Sequence, residues 1–446
     1  MSQSALQAVN HKAVLALALP MILSNITSPL LGLVDTAVIG HMDQPYYLGG
    51  VAVGSMIITL IFWLMGFLRM ATTGKVAQSF GANDSAAQIQ LLAQGLMVAL
   101  VIAFGILLLQ WPIWQLAHWL AGASAEVSEQ AQRYFEIRVW ASPMALVNLV
   151  LMGWLLGRQK SKLAMYAVIL TNCLNLTLDL WFVIGLGWGV AGVAWASLLA
   201  ETGSMLLLLW FTRGQLRSLG ETWLGTLQKY AKLAGLGSLL ALNRDIFIRS
   251  ACLQAVFSFM TFQGARLGDI PLAANAILLN FLMLISYALD GFAYSAEAQV
   301  GRAYGQGENQ ALNKAVRLNL IWGFGSALIF SLAFGLFGSA LIHLMTGISE
   351  VREYALTYLP WVVALPLLSF LCYLMDGIYI GAAKGQQMRD SMIFSAFVVF
   401  FPLWWLMSDL GNTALWAALS VFMLARGISL YGHYRWRLAR GGFISR

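Results

Sequence analysis

Residues 14–40 read VLALALPMILSNITSPLLGLVDTAVIG, and this stretch decides the class of fold. It is apolar and long enough to cross a bilayer, which takes ~20 helical residues. Yet it holds Pro20, Pro29 and a single carboxylate, Asp35. Pro29 has no N–H to give the carbonyl of Asn25, so a helix here is weakest in its middle. Asn25, Thr27 and Ser28 sit beside that weak point, where their side chains can satisfy the freed backbone group. Asp35 stands among Leu33, Val34, Ala37, Val38 and Ile39. A carboxylate inside the bilayer costs roughly 2.5–3.5 kcal/mol on insertion scales and usually marks ion or proton movement. The plain alternative is a carboxylate at a helix end that reaches water. A bendable helix with one titratable group reads as a switch, with Pro20 and Pro29 as bending points and Asp35 as trigger.

The rest of the chain fits that start. Of 446 residues 60% are hydrophobic and 10% charged, where a soluble protein carries about 25% charged residues. The composition is that of a polytopic membrane protein. Lys and Arg outnumber Asp and Glu by 26 to 19, and their placement reads as membrane topology, with no nucleic-acid partner. Cys173, Cys252 and Cys372 fall in apolar segments, so buried thiols without disulfides are expected. The first dozen residues lack the pattern of a cleavable signal peptide.

Apolar runs give about twelve spans, near 13–40, 48–78, 88–111, 132–156, 163–185, 189–212, 235–262, 272–300, 314–345, 353–381, 391–408 and 413–434. With the N-terminus inside, the inner segments collect most of the Lys and Arg, and the outer loops hold Arg133, Arg266 and Arg352. The positive-inside rule then puts both termini in the cytoplasm. Gly40, Leu48, Gly81, Tyr134, Gly153 and Gly157 recur as Gly264, Leu272, Gly305, Tyr358, Gly377 and Gly381, each 224 residues on. Six spans per half make this a parallel repeat. The expected organisation is a six-helix lobe over residues 1–212, a cytoplasmic linker over 213–234, and a second six-helix lobe with a cytoplasmic tail over 235–446.

No phosphate-binding loop, HExxH or paired-Cys metal spacing occurs, so uphill work draws on an ion gradient and not on ATP. No nucleophile–base set for an enzyme stands out, and no cofactor is expected. The fifth span reads TNCLNLTLDLWFVIG. Asn175 and Asp179 are four apart and share a helix face, with Thr171 and Asn172 close by. Asp35 and Asp179 are expected at similar depth in the first lobe, where two carboxylates in a dry pocket cannot both ionise easily. The bland reading is an interhelical hydrogen-bonding pair. In the second half, Asp290 and Asp376 are expected to share a cavity that Arg249 reaches, as structural pairs or substrate contacts. Arg69, Arg138 and Arg426 read as snorkelling or local pairing, and Glu201 as a secondary coupling or substrate-cavity residue. Phe62, Met65 and Phe281 are among many soft or aromatic side chains that suit amphipathic cations.

LVDTAVIGH in span one, AQSFGAND after span two, NRDIFIR in span seven, GRAYGQGEN after span eight and DGIYIGAAKG in span ten resemble the MATE multidrug-extrusion family, closest to its bacterial DinF branch. The resemblance covers the whole chain. It implies an all-α membrane protein of twelve transmembrane helices in two pseudo-symmetric six-helix lobes forming a V-shaped cleft. It also implies antiport of organic cations and other toxic amphiphiles against protons or sodium, in the bacterial cytoplasmic membrane. Asp35, Asn175 and Asp179 match the family's coupling group, and Asp376 a tenth-helix carboxylate linked to sodium. The acidic partner expected on span seven is replaced by Arg249, which favours H+ over Na+ as the coupling ion, with Na+ at Asp35 and Asp179 the second choice. A monomer exporting small-molecule drugs is expected. A flippase for a lipid-linked substrate is the alternative, and it would line its cleft with several cationic side chains.

Overall fold

A computed structural model of the protein describes residues 9–40 and 45–444; of these, the side chains of residues 28–40, Pro45 and Leu227 lie outside the described part. The side chains of Pro29 and Asp35, read above as bending point and trigger, therefore lie outside the described part. Every regular element among the described residues is helical. Among the described residues, eleven helical stretches are long and apolar enough to cross a membrane, and His11–Thr27 adds a shorter apolar one.

Two compact units divide the chain. The first, Leu23–Leu240, holds the second part of α1 (His11–Gly40) and then α2 (Pro45–Leu64), α3 (Phe67–Gly81), α4 (Ser85–Leu108), α5 (Gln110–Ala121), α6 (Ala125–Arg138), α7 (Ser142–Gly157), α8 (Ser161–Asp179), α9 (Gly189–Ser218) and α10 (Trp223–Tyr230). The second unit, Met1–Ile22 with Ala241–Arg446, takes the start of α1 and most of α11 (Leu236–Leu267). It continues through α12 (Asp269–Gln306), α13 (Asn309–Met345), α14 (Ser349–Gly381), α15 (Gly385–Ile393), α16 (Phe401–Leu406) and α17 (Asn412–Ala439).

The glycines spaced 224 apart show what the repeat is for. A Cβ on Gly153 would sit 2.5 Å from the carbonyl oxygen of Arg69, and one on Gly157 2.8 Å from that of Thr73. In the second unit a Cβ on Gly377 would sit 2.5 Å from the carbonyl oxygen of Ala293, and one on Gly381 2.6 Å from that of Glu297. The contacted residues are themselves 224 apart. Each pair brings two helices close enough for backbone to touch backbone, as small residues do at membrane helix crossings. The turns repeat as well. Asn83 and Gly307 take φ of 56° and 73°, and Gln159 and Ala383 take 62° and 53°. The left-handed turn lets the next N–H reach back, from Lys160 to the carbonyl of Leu155 at 2.8 Å and from Lys384 to that of Tyr379 at 2.9 Å.

Two features differ from the sequence reading, and one adds to it. Residues 112–121, left between the third and fourth expected spans, fold into α5, which buries Trp114 against Phe135 with ring centroids 5.6 Å apart. Trp111, Trp119 and Leu120 stay exposed, a pattern that suits a helix lying along an interface. The linker is a docked segment: Gln94 donates to the carbonyls of Lys232 and Ala234, and Gln90 to that of Ala234. Of the three free thiols only Cys372 is buried, while Cys173 is exposed and Cys252 intermediate. An apolar helix in a membrane protein keeps faces that no protein covers, so apolar surroundings in sequence did not mean burial for Cys173.

Candidate functional site

In the first unit the fifth-span residues line up as their spacing requires. Asn172, Asn175 and Asp179 follow one another at three and four residues on α8 and so share one face. Asn172 donates through Nδ2 to the hydroxyl of Thr27 on α1. That hydroxyl donates in turn to the carbonyl of Ser24 at 2.6 Å, an intrahelical bond just ahead of Pro29. Asn175 is buried and donates to Oγ of Ser197 on α9 at 3.0 Å. Asp179 is fully buried. It is the last α-helical residue of its span, because Leu180–Gly185 winds as π-helix. Such π segments inside membrane helices break the regular ladder and concentrate at functional sites. Thr171 spends its hydroxyl on the carbonyl of Ala167 at 2.8 Å, and Asn25 is half-buried on α1. Pro20 is buried within a helix that runs without a break from His11 to Gly40.

Four residues beyond Ser197, on the same face of α9, comes Glu201. Its Oε2 accepts from Nδ2 of Asn148 at 2.9 Å, and its Oε1 lies 3.8 Å from Nη2 of Arg138. Arg138 therefore pairs locally. Arg69 is buried, so it does not snorkel to water.

The second unit gathers its charges differently. Asp376 on α14 accepts on Oδ2 from both Arg249 of α11 and Nη2 of Arg426 of α17, the latter at 2.7 Å. All three are buried. Nη1 of Arg426 also reaches Sδ of Met423, and its guanidinium lies 5.4 Å from the centre of the Phe422 ring. Arg249 thus reaches one of the two carboxylates expected to share a cavity, and Asp290 stands partly buried on α12. Two guanidiniums converge on one carboxylate oxygen. At the helix ends, Asp245 takes both Arg244 at 3.0 Å and Arg389 at 2.8 Å.

Sequence reasoning did not single out Ser197 or Asn148, or the role of Arg426. The first two are short polar residues inside apolar runs, with no pattern to mark them. Arg426 was visible as an intramembrane charge, but its partner lies 50 residues away.

Buried polar groups and charges held inside two similar helical units, with spans long enough for a bilayer, define a multi-pass membrane transporter. The chain belongs to the MatE family of multidrug efflux transporters, whose family model matches residues 20–181 and 246–406. It is 45% identical to the DNA damage-inducible protein F of Escherichia coli (strain K12), over 96% of this chain and 93% of that protein. Among solved structures it resembles an outward-facing multidrug resistance MATE family transporter of the MOP superfamily, with a TM-score of 0.89, 21% identity and 98% of each chain covered. It also resembles a MATE protein in the bent conformation, with a TM-score of 0.87 and 20% identity over 98% of this chain and 97% of that one.

Proposed function

We propose that the protein is a secondary antiporter that exports organic cations and other toxic amphiphiles in exchange for protons, with Asp35, Asn175 and Asp179 as the coupling group. The observation that carries this reading is the polar connection inside the first unit. A fully buried carboxylate, Asp179, shares a helix face with two asparagines, one bonded to Ser197 of α9 and the other to Thr27 of α1. A proton that changes the charge on this face acts on side chains already joined to the first helix. That helix carries Pro20 and Pro29, and a proline weakens a helix at its own turn, which makes bending the proposed response. The proton does work only if it binds one helix shape more tightly than the other.

The same reading takes residues 1–212 and 235–446 as two six-helix lobes joined by the linker 213–234, both termini in the cytoplasm, and a monomer in a bacterial cytoplasmic membrane. In the second unit, Asp376 is engaged by two arginines, which disfavours a sodium site there and supports protons. The test is direct. Everted vesicles holding a preformed pH gradient lose it when ethidium is added, and sodium does not replace the gradient. Sodium-driven ethidium movement without proton movement would overturn the choice of ion.

A further inference from the structure

Arg138 closes α6, and its guanidinium carbon lies 5.6 Å from the centre of the Phe62 ring of α2. Nη2 of the same group is 3.8 Å from Oε1 of Glu201. An aromatic ring and a carboxylate around one cation are the groups with which proteins recognise organic cations. Asn148 fixes the carboxylate, donating to Oε2 at 2.9 Å and to the backbone carbonyl of Glu201 at 3.1 Å. In this structure the cation in that place is the protein's own side chain.

The guanidinium is loosely held. Its ion pair with Glu201 is longer than a hydrogen bond. Its Nε and Nη1 are buried with no hydrogen-bond partner, and so is Oδ1 of Asn148. Unpaired buried donors cost free energy, so a competing cation displaces this group more easily than a fully paired one. The side chains of Arg138 and Glu201 remain 12% and 23% exposed, which leaves the place open to a ligand. A purely structural bridge gains from full hydrogen bonding of its charged groups, and this one lacks it.

We propose that Phe62, Asn148 and Glu201 form a seat for an organic cation, and that Arg138 fills it as a tethered stand-in while no substrate is bound. The inference rests on the efflux reading above for the identity of the natural ligand. Substrate entry then exchanges one cation for another over the same carboxylate, and Glu201 keeps a cationic neighbour throughout. The stand-in also sets a threshold. If the seat is open about one-tenth of the time, a ligand's apparent Kd is about ten times its intrinsic value, and weak cations are turned away.

The test uses the full chain in lipid nanodiscs. Arg138→Ala vacates the seat, and millimolar methylguanidinium should raise its unfolding temperature, as any ligand specific for the folded state does. The wild-type protein should show no such rise, and neither should the double variant Arg138→Ala with Glu201→Gln. Ethidium should bind up to about tenfold more tightly to Arg138→Gln than to wild type, the factor set by the open fraction. It should bind more weakly to Phe62→Leu, a variant that keeps every charge. Methylguanidinium that leaves Arg138→Ala unchanged, or that stabilises the double variant equally, overturns the proposal; so does ethidium affinity indifferent to Phe62→Leu where Arg138→Ala fails to fold. If methylguanidinium fills the vacated seat but ethidium moves no protons in vesicles, the seat stands and the antiport reading fails.

Discussion

The two units share a scaffold and part company over their charges. Gly153 and Gly157 in one, and Gly377 and Gly381 in the other, press onto backbone carbonyls at 2.5 to 2.8 Å. On these matched frames the polar contents differ. Asp376 is gripped by two buried arginines, with Arg426 at 2.7 Å. In the first unit Glu201 meets Arg138 at 3.8 Å, and Asp179 is buried beside asparagines that reach α1 and α9. Asp376 is hydrogen-bonded by two guanidiniums, whereas Glu201 faces an arginine beyond hydrogen-bond distance and holds that partner loosely. The frame repeats, and the difference in partners is the basis for proposing exchange in the first unit and electrostatic support in the second.

The largest effect that would break this contrast is on stability at Asp376. Asp376→Asn leaves two guanidiniums buried without their anion, and loss of one member of a buried ion pair costs about 3–5 kcal/mol. Thermal unfolding in detergent should show a large drop, and Arg426→Met a smaller one, because Arg249 still serves the carboxylate. A stable Asp376→Asn variant would mean that the knot is not the support described.

The shared frame is tested next. Gly153→Ala and Gly377→Ala each push a methyl group against a carbonyl, and overpacking of this kind costs about 1–3 kcal/mol. Matching losses for the two, read from their unfolding temperatures, would bear out the equivalence of the crossings. A clear loss for one and none for the other would undo it. The smallest change should come from Glu201→Gln. Its ion pair is long and partly exposed, and pairs of that sort contribute about 0–1 kcal/mol, so stability should hardly move while cation binding falls.

The fold was largely legible in the residues. Twelve apolar runs and a constant offset of 224 gave the spans and the repeat, because a membrane helix must satisfy its own backbone and so announces itself by length and hydropathy. The site was legible where spacing along one helix carries the information. Asn172, Asn175 and Asp179 had to share a face, and they do. Partners across helices were harder to read: Ser197, Asn148 and the engagement of Asp376 by Arg426 depend on which helices pack together, and no local pattern encodes that. Helix α5 escaped for a related reason, since Trp111, Trp119 and Leu120 are exposed and only Trp114 is buried. The exposed thiol of Cys173 shows the same limit, because hydropathy does not tell a lipid-facing side from a protein-facing one.

The central claim, that exchange belongs to the first unit, is tested most directly by ethidium-driven collapse of a pH gradient in everted vesicles, compared between Asp179→Asn and Asp376→Asn at equal amounts of folded protein. The account predicts that Asp179→Asn abolishes the collapse, while Asp376→Asn, corrected for its lower stability, retains it. Collapse that survives Asp179→Asn and disappears with Asp376→Asn would place coupling in the second unit and contradict the account.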